Sequence, residues 1–383
     1  MPPPKDLSSA RRTVRLALVT LVVVILAGFV ASRIDLHEYS MTPGGAQPVG
    51  PLISIDGVKA PKGGGHILLT DVLLTPLSLL TWLPAHLGTA TEIIPEDALV
   101  PSGQDPADLD AQGYLDMEQS KDAARTAALR RLGYPVTSTD AGALVTAVGT
   151  DTPAADRLHV ADVIVGVDGR PVSTSCELIS AIHDDAPGTK VALRVRPAEI
   201  SDSGKISNGP ATTVSIALQA NRHAGRTSTG CPGVEGPSRA ILGVAIETDR
   251  HWHYPFSIQI STPNIGGPSA GLAMTLGIID SLSHGHLLRS STIAATGTMS
   301  PDGAVGDVGG VEQKAVAVSR ARASVFLVPG NEGPTARKTA APGLKVVPVT
   351  TLDQALRLLL ARGGSLTLAD GSVEKRDGAA AGS

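Results

Sequence analysis

Seventeen residues, 16–32, run LALVTLVVVILAGFVAS without a charge, directly after Lys5, Arg11, Arg12 and Arg15. This run limits the architecture more than any other feature, because it divides the chain into a short basic N-terminus, 1–15, and everything else. At about 1.5 Å per residue it is only just long enough to span a bilayer as a transmembrane helix. The positive flank belongs in the cytoplasm, so the body of the chain is expected outside the cell membrane. A cleaved signal peptide is the competing reading. Against it, the apolar core is long, and Phe29-Val30-Ala31 is a poor small-x-small cleavage site. A second apolar stretch, 67–83, contains Asp71 and Pro76. Those two argue for a buried strand and helix in a soluble core rather than a second span. An extracytoplasmic body allows Cys176 and Cys231 to form a disulfide. Two cysteines cannot establish the bridge, and a pair of free buried thiols is the alternative.

The 383 residues exceed one ordinary domain, so two or three units are expected. Aromatic residues make up only 2% of the chain, which leaves the cores to Val, Leu, Ile and Ala. With a formal net charge of -4 there is no basic excess to suggest a nucleic-acid partner. Residues 36–132 hold strand-like runs at 52–55 and 66–72. A helix then follows over roughly 105–132, with Met117, Ala124, Ala127, Ala128 and Leu132 at helical spacing, stopped by Gly133. Residues 133–221 read as a β-rich unit with a helix at 176–183, turns at Asp168-Gly169 and Pro187-Gly188, a polar loop at 198–212 and a strand at 214–218. The Gly/Pro/Ser-rich 222–238 reads as a linker. From 239 to 361 strands (257–260, 292–295, 325–328) alternate with helices (270–282, 311–323, 351–360), an α/β pattern. A tail, 368–383, is expected to be disordered.

The β-rich unit resembles a PDZ domain. Ala154, Leu158, Asp162, Ile164, Val167, Asp168 and Gly169 fall on the bacterial pattern, with Ala161 a departure where Gly commonly precedes the Asp. The resemblance implies binding of extended peptide ends by strand addition. The carboxylate-binding loop is placed at Leu132, Gly133 and Tyr134. A spacer without a ligand is the alternative.

Gly267-Pro268-Ser269-Ala270-Gly271 fits G-x-S-x-G, where a loop gives way to an apolar helix. A helix-capping serine explains the five residues as well as a nucleophile does. A nucleophilic serine needs a proton acceptor. After Ser269 only His284 and His286 remain as histidines, with no room between for a separate acidic strand end, so the α/β-hydrolase order Ser-Asp-His does not fit. His251 and His253 precede the serine and look like loop residues, and no metal-ligand set accompanies them. Lys314 is the other candidate. On a helix it shares a face with Val311 and Val318, and burial there lowers a lysine pKa toward a useful range. A lysine whose stem packs while its head reaches water is the plain alternative.

A longer resemblance bears on that choice. FSIQISTPNIGGPSAGLAMTLGIIDSL and AATGTMSPDGAVGDVGGVEQKAVAVSRA are similar to the proteolytic domain of Lon proteases, in the G-P-S-A-G serine, the T-G-x-[IM]-[ST] segment and G-G-[VIL]-x-x-K. Met117-Glu118-Gln119-Ser120 with Ala124 resembles the family's helix upstream of the catalytic half. The resemblance implies an α+β multidomain fold: a Lon-type α/β proteolytic domain in two parts, 36–132 and 239–361, with the PDZ-like unit inserted between them. It implies a serine endopeptidase with a Ser269–Lys314 dyad and Thr296 helping to hold the lysine. The N–H groups of Gly267, Ser269 and Ala270 are the candidates for the oxyanion site, Pro268 having none. Two departures stand out: Ile265-Gly266 where the family has a Lys-Asp pair, and Thr298 where it has Glu. Within the 383 residues there is no G-x-x-x-x-G-K-[ST] phosphate loop. No cofactor, metal or ATP is therefore expected, and the partners expected are protein or peptide substrates and the membrane. Lon-like domains often form rings, so the resemblance suggests a homo-oligomer. From another class, a membrane-anchored PDZ adaptor with a structural Lon-like fold fits the same sequence.

Overall fold

A computed structural model of the chain describes residues 7–59, 64–88, 90–100, 104–221, 230–234 and 238–375. Helix α1, Leu7–Ala31, carries the uncharged run, and its apolar side chains from Leu16 to Val30 are more than half exposed. Among the described residues no helix is long and apolar enough to cross a membrane. The uncharged part of α1, 16–31, measures about 24 Å against about 30 Å of hydrocarbon. The expectation of a helix here is met.

Strands β1 (Asp35–Pro48) and β2 (His66–Ser78) pair antiparallel from Asp35↔Ser78 to Pro48↔Leu68. The two ends of β2 differ. Residues 67–70 are buried, whereas Leu73 and Leu74 are exposed. Helix α2, Leu79–Leu87, follows, started by the Thr81 hydroxyl accepting the Ser78 N–H at 2.9 Å, and buries none of its residues. The soluble-core reading of 67–83 therefore holds for residues 67–70 and Leu77, while Leu73, Leu74, Leu79, Leu80 and Leu83 are exposed among the described residues. After β3 (Glu92–Pro95) comes α3, Leu109–Arg131. Leu132 caps α3, and Gly133 takes φ +86 so that Tyr134 N–H reaches back to Leu129 O at 2.9 Å. This is the left-handed helix stop expected of a glycine.

The β-rich unit comprises β4 (Thr137–Val148), β5 (Val163–Val167), α4 (Ser175–Ile182), β6 (Lys190–Arg196), β7 (Thr212–Ala217) and β8 (Val244–His253). Its antiparallel sheet has the order β7-β6-β5-β4-β8 around Ile164, Leu178, Leu193 and Ile216. The unit is thus not confined to 133–221: β8, from beyond the linker, is its edge strand. The segment read as a polar loop holds a hairpin, Ala198–Ile200 with Ile206–Asn208. Ala161, the departure from the bacterial pattern, sits at φ +72, which explains why Gly is common there. Asp162 accepts the N–H groups of His159 and Ala198 at 2.9 and 2.7 Å. Most of the 222–238 linker lies outside the described residues. Within it, Cys231 is bonded to Cys176 at the start of α4, with Cα atoms 5.3 Å apart.

The last part contributes α5 (Gly271–Leu282), β9 (Thr292–Ala295), α6 (Val311–Arg320), β10 (Val325–Pro329), β11 (Lys345–Val349) and α7 (Leu352–Ala361). Its sheet runs β11-β10-β9-β2-β1-β3. Pairing is parallel from β11 to β2, with Thr292↔His66 through Ala295↔Leu69 joining β9 to β2. One sheet therefore combines strands from before and after the β-rich unit, and α3 packs on α5 across the same core. The chain is α+β and multidomain, with one unit inserted in another. The tail is ordered further than expected. Ser365–Thr367 pairs with Val373–Lys375, and Glu374 holds Arg131 at 2.9 Å. Residues 376–383 lie outside the described residues.

Candidate active site and peptide-binding edge

Ser269 lies in a single 3-10 turn, Pro268–Ala270, between Gly267 at φ +85 and the first residue of α5. Its surroundings hold the backbone on both sides. Gly267 N–H donates to Gly113 O at 2.7 Å, and the Ser120 hydroxyl donates to Pro268 O at 3.0 Å, both from α3. From the end of β9, Gly297 N–H and the Thr296 hydroxyl donate to Ser269 O at 3.0 and 3.2 Å. The packing leaves no room for larger residues: a Cβ on Gly271 would stand 2.7 Å from Met299 N. A side chain two residues past the serine would therefore push the turn away from its supports. Ser269 remains partly exposed, while Ala270 and all of α5 are buried. The turn thus offers a reachable hydroxyl on a rigid backbone at a helix N-terminus, where the dipole favours negative charge.

Lys314 is 2% exposed on α6, on the face it shares with the buried Val311 and Val318. Burial pushes its pKa down to about 8; the negative charges of Glu332 and Asp71 oppose the shift and are outweighed. Glu332 is itself shifted upward by burial. One of its oxygens accepts Val308 N–H at 2.6 Å, and the other has no hydrogen-bond partner. Strand β2 pairs with β9 up to Leu69↔Ala295, and two residues further each strand has left the ladder. There Gly297 holds Ser269 O, and Asp71 acts on Lys314. Gly297 follows the end of β9, and Asp71 lies within β2 two residues past its last pair with β9. Among the described residues no hydrogen bond joins Ser269 Oγ to Lys314 Nζ.

Three expectations change. Thr296 is fully buried but bonds the Ser269 carbonyl rather than Lys314. Gly267 has its N–H committed to Gly113 O. Leu132, Gly133 and Tyr134 belong to the stop of α3: Leu132 is 0% exposed in the main core, and Tyr134 packs edge-on against Phe256. None of the three lies on a sheet edge. Among the described residues no group of three His, Cys, Asp or Glu side chains could hold a metal ion. His251 lies 3.2 Å from Asp249, and His253 bonds the Thr139 hydroxyl at 3.0 Å.

The edge that sequence reasoning missed is β8. It pairs with β4 on one side from Val244↔Val148 to His253↔Thr137 and, among the described residues, is unpaired on the other. Helix α4 flanks it: the Ser175 N–H and hydroxyl meet Thr248 Oγ1 at 3.2 and 3.0 Å. Val244 and Ile246 pack on the core beneath. Gly243, at φ +87 and against Thr152, turns the chain into the strand. The alternating run 240–246, AILGVAI, was the available signal, but its partner strand lies about a hundred positions earlier. A cleft of about 800 Å³ runs between β8 and the catalytic part, touching Asp116, Glu118, Ser120, Glu247, Asp249 and Pro268. It ends at the residue before Ser269.

Two family profiles match the chain. Residues 130–199 match the PDZ domain, and residues 244–362 match the Lon protease (S16) C-terminal proteolytic domain. Lon protease of Methylocella silvestris is 43% identical over 94 residues, 24% of this chain and 11% of that protein. Lon protease 2 of Bacillus subtilis is 28% identical over 185 residues, 47% of this chain and 32% of its own length. The chain therefore spans a third or less of these relatives. Among solved structures, the PDZ domain of an SdrC-like protein from Listeria monocytogenes is 24% identical, covering 28% of this chain and 90% of that one, with a TM-score of 0.21. The fold, the turn around Ser269 and the two family profiles agree: the chain carries a PDZ domain together with a proteolytic domain of the Lon family of serine peptidases.

Proposed function

We propose that the chain is an ATP-independent serine endopeptidase with Ser269 as nucleophile and Lys314 as general base. The observation that carries the reading is the buried Lys314, whose pKa of about 8 leaves a usable neutral fraction near physiological pH. Neutral Lys314 Nζ takes the Ser269 proton as Oγ attacks the scissile carbonyl carbon. The N–H groups of Ser269 and Ala270 receive the oxyanion at the start of α5, since Gly267 is already engaged. Collapse of the tetrahedral intermediate breaks the C–N bond, and the Lys314 ammonium returns the proton to the leaving amine. Water, deprotonated by the same amine, then hydrolyses the acyl-serine and regenerates Ser269. Thr296 and Ser120 act by holding the carbonyls of Ser269 and Pro268, so the hydroxyl stays in place through both steps.

The PDZ domain supplies the substrate. An extended peptide adds to the free edge of β8 under α4, its side chains alternating into the groove. Running antiparallel to β8, its C-terminus lies at Leu242-Gly243 and its upstream residues lead toward His253 and the catalytic part. Helix α1 anchors the chain with the N-terminus in the cytoplasm and the body outside. The Cys176–Cys231 disulfide fits an oxidising compartment. The test is labelling of the folded protein by a fluorophosphonate, with and without Ser269→Ala. Covalent modification at Ser269, and peptide hydrolysis lost in the variant, are expected. A folded wild type that neither labels nor cleaves would leave the adaptor reading instead.

A further inference from the structure

The exposed face at the end of β2 and along α2 has no place in the mechanism. From Val72 to Leu87 the sequence contains no Asp, Glu, Lys or Arg. Leu73, Leu79, Leu80, Leu83 and Leu87 are each half exposed or more, reaching 76% at Leu87. Contiguous apolar patches of this kind mark a protein or membrane contact. The position of α2 favours the membrane. Leu79 N–H bonds Ile34 O at 3.0 Å, just past the end of α1. Leu79 also closes an apolar crevice with Val23, Leu26, Val30 and Ile34, side chains of the last two turns of α1 and the residues after it. If α1 is embedded, the first turn of α2 stands at the depth of those turns. Water cannot be what surrounds it there.

Resting on the anchor reading, we infer that α2 and the end of β2 form a second membrane contact, inserted at the headgroup–acyl boundary of the outer leaflet. Nine residues of α2 give about 14 Å, enough to lie in the interface and too short to cross. Trp82 and His86 stack at 4.0 Å and provide the amphipathic rings favoured at that level. Arg33, over the Phe29 ring at 5.0 Å, marks the same boundary on α1. This contact also compensates the short uncharged run of α1. It holds the catalytic body against the bilayer by two points, so its orientation is restricted and substrates are met close to the membrane surface.

The chain has two tryptophans, Trp82 and Trp252. In full-length Trp252→Phe, reconstituted in phosphatidylcholine–phosphatidylglycerol vesicles, emission therefore comes from Trp82. Lipids brominated in the upper acyl chain are expected to reduce it to less than about half, with little effect of aqueous iodide. As a second measurement, Leu83→Cys in the otherwise wild-type chain is labelled with an environment-sensitive dye. Its thiol is unique because Cys176 and Cys231 are bonded to each other. Vesicle flotation separates the two readings. Flotation with iodide quenching and no bromolipid quenching would overturn the α2 contact and leave the anchor standing. Loss of flotation would overturn both. Protection from both quenchers would assign the patch to a second copy of the chain and overturn the lipid contact.

Discussion

The Ser269 turn and the β8 edge are two binding places made by opposite means. The turn is held through Gly267 N–H, Pro268 O and Ser269 O by α3 and the end of β9. It is pre-formed, with Gly267 at φ +85 and Gly271 too close to Met299 N for a Cβ. The β8 edge is defined by what is missing: one side is paired with β4, and the other is left open beside α4. Chemistry needs groups fixed to within fractions of an ångström. Strand addition needs an unsatisfied row of backbone groups and tolerant pockets. Changes at the turn should therefore alter turnover, and changes at the edge should alter which substrates reach it.

The largest effect is expected at Lys314. Arginine cannot be deprotonated in proteins, so Lys314→Arg should abolish turnover as Ser269→Ala does, by orders of magnitude in kcat. Lys314→Met should be equally inactive yet more stable, by about 3 kcal/mol at neutral pH, because it removes a buried cation. The sign follows from the lowered folded pKa: the unfolded chain holds the proton more tightly. The cost of the lysine is therefore full below about 8 and disappears as pH rises toward its ordinary value. Denaturant unfolding across that range checks it. A gain that does not shrink with pH would show that Lys314 is not buried as a cation. In the wild type, peptide hydrolysis should rise with pH through about 8.

Next in size is the disulfide. Cys176→Ser with Cys231→Ser opens a loop whose ends are 55 residues apart, at a cost of about 3–4 kcal/mol. Thermal unfolding should show the loss in the PDZ unit. Cleavage of short peptides should survive in the folded protein at low temperature, which sharpens the distinction between edge and turn. Equal loss of peptide and protein cleavage would mean the two places are not separable.

Ser120→Ala removes the hydrogen bond to Pro268 O, and about 1 kcal/mol is expected. It should appear mainly in kcat, as about a fivefold decrease, because the residue positions the turn and does not touch the scissile bond. A change confined to KM would place Ser120 in substrate binding instead. The smallest effect is expected from Thr248→Val, which loses the contacts to Ser175 at the groove wall. It should raise KM for protein substrates a few-fold and leave short peptides unaffected. An effect on peptide kcat would break the comparison.

Much of the active site was legible because it is written in short contiguous motifs. The serine turn, the helix carrying Lys314 and the stop of α3 at Gly133 depend on residues within a few positions of one another. Propensity, left-handed glycines and helical spacing act at that range. The inserted arrangement was legible too, from the change of pattern along the chain and the motif order.

What the tertiary structure decided depends on partners distant in the sequence. Residues 132–134 look like the entrance to a sheet but are the stop of a helix, with Leu132 in the core, while the open edge is supplied by 244–253. The apolar run 67–83 has the composition of a core, yet only 67–70, where β9 pairs, and Leu77 are buried, and its other leucines stay exposed among the described residues. Thr296 bonds the serine carbonyl, not the lysine, because the carbonyl is what the end of β9 presents to it. A residue's chemistry and local conformation are set by its near neighbours. Which strand closes an edge, and which apolar face stays open, is set by packing between segments the sequence keeps apart.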